Sequence, residues 1–138
     1  MEKVRVIQED LSIQEVVDAV RDPRSGGIVT FLGTVRGEDD RGTIDAMEVE
    51  SYREMALEQL WDLRSRALEE YDLVDMAIVH RVGRLSPGEN IVMIAAAGVH
   101  RDNAFAAARF VIDEIKRLVP IWKKELFSGQ EHWVEEEK

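Results

Sequence analysis

Between residues 99 and 124 the chain places six cations, Arg101, Arg109, Lys116, Arg117, Lys123 and Lys124, against three anions, Asp102, Asp113 and Glu114. That stretch carries +3 in a 138-residue chain of formal charge −10, which leaves −13 on the rest. Cations gathered on an otherwise acidic protein suit a small anionic ligand, because guanidinium and ammonium groups bind phosphate oxygens through charge-assisted hydrogen bonds. Arg109 and Lys116 stand seven positions apart, about two helical turns, and so project from nearly one side of a helix. His100 and Arg101 fall at the entrance to that helix, where unpaired N–H groups and the helix dipole also favour an anion. These residues outline one anion site: Arg101 with backbone amides, Lys116 further along the helix, and Lys123 beyond the break at Pro120. A plainer role fits Lys116 and Arg117 equally well, since cations in a last helical turn commonly only complement the macrodipole.

The absences narrow the chemistry. Without cysteine the chain can carry no thiolate nucleophile, persulfide, disulfide framework or cysteine zinc site. It lacks the Gly-x-x-x-x-Gly-Lys, Gly-x-Gly-x-x-Gly, His-Glu-x-x-His and Gly-x-Ser-x-Gly signatures that mark common nucleotide, metal and hydrolase sites. His80, His100 and His132 are too widely spaced for helical metal ligands, so neither a metal nor a cofactor is expected. The acidic remainder argues against nucleic acid and anionic membranes. Uncharged stretches such as residues 27–35 and 90–99 fall far short of the ~20 residues of a membrane helix. The charged start Met1-Glu2-Lys3-Val4-Arg5 has no apolar run behind it, and a cytoplasmic protein without an export signal is expected.

The elements that must position these residues are set by periodicity. A short strand at Val4 and Val6 precedes a helix opened by the capping box Ser12 to Glu15, with Val16, Val17 and Val20 inward. Residues 27–36 read as a largely buried strand, 37–42 as a loop, and 43–52 as a second strand with a bulge suggested at Met47. Leu57, Leu60, Trp61 and Leu68 return at helical spacing over 53–70. Val74, Met76 and Ile78 mark a strand, the turn Ser86-Pro87-Gly88-Glu89 joins it to another at 90–99, and Asp102 or Asn103 caps a last helix whose stripe is Phe105, Ala108, Ile112, Ile115 and Val119. With no linker or repeat, one domain over 1–138 is expected, in the order β-α-β-β-α-β-β-α and then a tail. Adjacent strands joined by short loops favour an α+β fold with a mixed or antiparallel sheet and three helices. The turn at Pro87-Gly88 separates His80 from His100, so His80-Arg81 reads as structural, pairing with Glu89 or capping a sheet edge, and His100-Arg101 as the functional pair.

Four blocks carry a resemblance. Phe31-Leu32-Gly33-Thr34-Val35-Arg36, residues His80 to Glu89, His100-Arg101-Asp102-Asn103-Ala104-Phe105, and residues Lys116 to Glu125 resemble, in that order, the large catalytic subunit of molybdopterin synthase. The resemblance implies a hammerhead-like α+β fold and a sulfurtransferase of molybdenum cofactor biosynthesis. Its substrate is cyclic pyranopterin monophosphate, converted to the dithiolene molybdopterin. Sulfur arrives as a thiocarboxylate on the C-terminal Gly-Gly of a small ubiquitin-like partner, and two large subunits form the homodimer core of a heterotetramer. Carried over by position, substrate contacts fall on Thr34, Val35, Arg36, His100, Arg101, Lys116, Lys123, Lys124 and Glu125. Lys116 is the first candidate for the residue beside the thiocarboxylate, and Lys123 shares that role or holds the substrate. Arg36 and Arg101 are expected on the phosphate.

Trp122 and Trp133 are expected to pack rather than to meet ligand, and no role attaches to His132. A noncatalytic scaffold or phosphate-ligand module of the same fold is the alternative. The set of cations converging on one pocket counts against it.

Overall fold

Strands β5 (Leu73–Arg81) and β7 (Asn90–Gly98) are buried on both faces and sort their side chains by parity. Met76, Ile78, Ile94 and Ala96 join one core, while Ala77, Val79, Met93, Ala95 and Ala97 join another, as the twofold repeat of a strand requires. On the first face lie helices α2 (Arg53–Glu70) and α3 (Arg101–Leu118), through Ala56, Leu60, Leu63 and Ala67 of one and Ala104, Ala107, Ala108, Val111 and Ile115 of the other. On the second lies α1 (Ile13–Ala19), capped by the Ser12 hydroxyl accepting from the Glu15 N–H at 3.2 Å as the capping box predicts. The computed structural model describes residues 1–127 and 130–134.

This central sheet runs β1-β5-β7-β2, with β1 (Val4–Ile7) parallel to β5 and β2 (Gly27–Thr34) antiparallel to β7, so it is mixed. A second sheet orders β3 (Glu38–Asp39), β4 (Gly42–Ser51), β8 (Ile121–Phe127) and β9 (Gln130–Trp133), with β6 (Gly83–Leu85) also on β4. Between the sheets Val35, Met47, Val49, Leu85, Ile91 and Val92 form a third core. The α+β class, its three helices and its mixed and antiparallel pairing agree with the sequence reading. So does the 86–89 turn, where Gly88 takes φ +90° and the Glu89 N–H donates to the Ser86 carbonyl at 3.0 Å.

Several local readings are corrected. The 27–36 strand is an edge rather than a buried strand: β2 pairs only with β7 among the described strands, and Phe31 is 38% exposed. The tail adds two strands that the element order left out: among its described residues, β8 and β9 pair antiparallel in the second sheet. The short strands β3 and β6 fall in segments without a strand signal of their own. The irregularity in β4 lies between Ile44 and Ala46 rather than at Met47. Helix α3 begins earlier than expected, with His100 as N-cap and no side-chain cap bond. Its buried stripe is mostly alanine, and Phe105 is 60% exposed. Close approach explains the alanines: a Cβ on Gly98 would sit 2.9 Å from the His100 carbonyl oxygen and 3.5 Å from the Ala104 Cβ, so only small residues fit between this helix and the strand. Among the described residues no helix is long and apolar enough to cross a membrane.

Candidate active site

Pro120 ends α3 and sends the chain directly into β8, so the last turn of the helix and the first residues of the strand converge. There they border a cavity of about 590 Å³, completed by Thr34 at the end of β2, Arg36 just beyond it, Met47 of β4 and His80 of β5. Lys116, Trp122, Lys123 and Glu125 all line it. The structure separates the neighbouring lysines. Lys123 and Glu125 line the cavity, while Lys124, opposite Glu48 in register, is not among its lining residues. Lys124 reaches Glu48 at 3.8 Å and Glu131 at 3.4 Å and lies 4.8 Å from the Trp133 ring centroid. It therefore braces the second sheet and does not line the cavity.

Burial pushes the Lys123 ammonium below the ordinary lysine value, and the charge of Lys116 pushes it further the same way. Among the described residues neither lysine is ion-paired with a carboxylate. Glu125 is 1% exposed and held by two guanidiniums, accepting from Arg36 Nε at 3.2 Å and from Arg41 Nη2 at 3.1 Å. Asp39 ties the same pair together, 2.6 Å from Arg41 and 3.4 Å from Arg36. Glu125 thus orients Arg36 at the cavity. A hydrogen bond from Arg41 holds the Asp39 carboxyl below its ordinary range.

Of the residues carried over by resemblance, Thr34, Arg36, Lys116, Lys123 and Glu125 are brought together, whereas Val35 is buried in the third core. His100 and Arg101 are not joined to them. Both are exposed at the start of an 18-residue helix whose end borders the cavity, which puts Arg101 roughly 22 Å along the axis from Lys116 at 1.5 Å per residue. Arg101 instead lies beside Gly27, where a Cβ would come 3.9 Å from its own. The single anion site drawn along one helix is therefore split within one chain.

Two residues read as structural line the cavity. Trp122 is 51% exposed rather than packed in the core, and Trp133 lines the cavity as well. His80 is the residue that sequence reasoning missed. Its neighbour Arg81 does pair with Glu89, at 3.4 Å, but the imidazole faces the other way along the strand and lines the cavity. Parity held the signal, because residue 80 comes after Met76 and Ile78 on the face toward α3. Burial, then the charge of Lys123, lower its pKa to about 3 against an opposing hydrogen bond to Arg81. In the tail, His132 meets the Phe127 ring edge-on at 5.3 Å, while Ser128, Gly129 and Glu135 lie outside the described residues.

A model of the MoaE protein family matches residues 6–118. The chain is 39% identical over 127 residues to a molybdopterin synthase catalytic subunit of Pyrococcus abyssi, an alignment covering 92% of this chain and 86% of that protein. It superposes on the molybdopterin synthase of Staphylococcus aureus with a TM-score of 0.94 at 29% identity, covering 99% of both chains. On the MoaE protein of Burkholderia ambifaria the TM-score is 0.82 at 39% identity, covering 97% of this chain and 89% of that one. Sequence and fold agree over nearly the whole length, and the chain belongs to the MoaE protein family, that of the molybdopterin synthase catalytic subunits.

Proposed function

We propose that this chain transfers sulfur from the C-terminal Gly-Gly thiocarboxylate of a small ubiquitin-like carrier to cyclic pyranopterin monophosphate, building the molybdopterin dithiolene. The observation that carries this reading is the convergence of Arg36, Lys116 and Lys123 on one cavity. Arg36, aimed by Glu125, binds the phosphate through its fork. Lys116 stands beside the thiocarboxylate and stabilises charge at its carbonyl. Lys123, with its lowered pKa, holds the substrate and exchanges protons nearer to neutral pH than an ordinary lysine. Trp122 offers a ring face to the pterin. A chain with no cysteine has no thiol of its own to carry sulfur, which suits delivery by a carrier to a single domain over 1–138 acting beside it in the cytoplasm.

His100 and Arg101 enter this scheme through a second copy of the chain. The free edge of β2 runs from Gly27, beside Arg101, to Thr34 at the cavity. A twofold contact sets a strand antiparallel to itself. Pairing two β2 edges therefore brings the Gly27 end of one copy, with its Arg101, to the Thr34 end of the other. The exposed Phe31 and Phe105 supply apolar surface for such a homodimer core, leaving a carrier subunit at each outer end of the heterotetramer.

The test mixes purified protein with thiocarboxylated carrier and cyclic pyranopterin monophosphate and measures dithiolene product. Carrier binding without product would replace this reading with the scaffold alternative. Mixing Lys116→Ala with Arg101→Ala, each inactive alone, restores roughly a quarter of wild-type product, because half the dimers are mixed and each holds one intact site. No restoration would place Arg101 outside the site.

A further inference from the structure

His80 is 1% exposed, yet its ring forms part of the cavity wall. Nδ1 lies 2.8 Å from the Arg81 carbonyl oxygen. A carbonyl only accepts, so Nδ1 carries the proton and, in the neutral ring, Nε2 carries the lone pair. The carbonyl is itself fixed in place, because the Arg81 guanidinium donates to the carbonyls of Gln8 at 3.1 Å, Glu9 at 3.0 Å and Asn90 at 3.1 Å. Nε2 makes no hydrogen bond to a described residue. No fully enclosed side-chain nitrogen or oxygen among the described residues lacks a partner, so Nε2 opens on the cavity. Burial and the nearby Lys123 charge keep the ring neutral down to about pH 3, which makes it an acceptor rather than a base or a cation.

The other charged groups at the cavity leave this acceptor distinct. Arg36, Lys116 and Lys123 only donate, and the Glu125 oxygens are taken by Arg36 and Arg41. A ligand made of acceptors alone would satisfy the cations and leave Nε2 unpaired. We propose that His80 is a specificity-determining residue: its Nε2 accepts a hydrogen bond from an N–H or O–H of the heterocycle that carries the phosphate. The site then selects a donor-bearing cyclic phosphate ester over an anion made of acceptors alone, such as sulfate. This role rests on the cavity being the pterin site.

The test compares wild type, His80→Phe and His80→Gln by calorimetric titration with cyclic pyranopterin monophosphate and, separately, with sulfate, which carries no O–H at neutral pH, after thermal unfolding has checked each fold. Removing an acceptor that a ligand donor needs should weaken pterin binding about tenfold or more. Sulfate binding should change by less than about twofold, and the amide oxygen of His80→Gln should recover much of the loss. In wild-type protein carrying ¹⁵N-histidine, the Nε2 resonance should move on adding the pterin and stay in place on adding sulfate. This last measurement decides the matter even where His80→Phe fails to fold. Equal losses for both ligands, unchanged pterin affinity in folded His80→Phe, or a stationary Nε2 resonance with pterin bound would each overturn the proposal and leave the sulfur-transfer reading intact. Wild-type protein that does not bind the pterin would overturn both.

Discussion

Asp75 and the cavity both gather charge from several elements and resolve it in opposite ways. Asp75 at the start of β5 lies 2.7 Å from Lys3 and 2.8 Å from Arg64 and accepts from the Met76 N–H at 2.8 Å. Burial alone would raise its pKa, but the hydrogen bonds from Lys3, Arg64 and Met76 outweigh it and the net shift is downward. In the cavity, burial and the charge of Lys116 act in the same direction on Lys123, and no described carboxylate pairs with either lysine. The first arrangement is complete and stabilises the fold. The second is a standing electrostatic deficit that an anion relieves, and such deficits mark binding and catalytic sites.

Substitutions on the two sides should therefore separate activity from stability. Lys116→Ala should lower dithiolene formation by about 10²–10³-fold while leaving the thermal midpoint unchanged or raised, since it removes a repulsion. Near-normal turnover in a folded variant would erase the contrast. Acid should expose the cost of the buried ring beside Lys123. The unfolded imidazole binds a proton below about pH 6.5 and the folded one only near 3, so between those values the unfolded state holds more protons. Stability then falls as pH drops through that window, on the order of 3–5 kcal/mol in total. Denaturant titrations across pH 3–6.5 should show a smaller fall for His80→Gln.

Asp75→Asn should cost about 1–2 kcal/mol, because it leaves two cations without their partner at a partly exposed site. Its turnover should match wild type, and a large loss of kcat would mean that the clamp acts on the cavity. The smallest effect is expected at Lys124→Ala, under about 1 kcal/mol in thermal unfolding. A loss of turnover matching that of Lys123→Ala would contradict the placement of Lys124 on Glu48 and Glu131, off the cavity.

The legible and illegible parts of the molecule divide along the same physical line. The serine cap of α1, the long helix α2 and the turn at Gly88 were readable because neighbouring residues decide them. The cations Lys116 and Lys123 were readable as an anion site because only the short break at Pro120 separates them along the chain. The rank of β2 as an edge strand, the strand character of β8 and β9, and the exposure of Phe105 and Trp122 were not readable, because each depends on the residues packed opposite. His80 was misjudged for the same reason: its sequence neighbour Arg81 is structural, but alternate residues of a strand face different surroundings.

By itself the sequence determined the α+β class, the order of the helices and central strands, the missing sulfur and the local excess of cations, all set by composition and short-range periodicity. Only the tertiary structure decided which cations meet. It placed Arg36, Lys116, Lys123 and His80 around one cavity, buried Glu125 under two guanidiniums and carried His100 and Arg101 to the far end of α3. The reason is geometric: a helix separates its ends by its own length, and sheet pairing sets the distance between residues far apart in sequence.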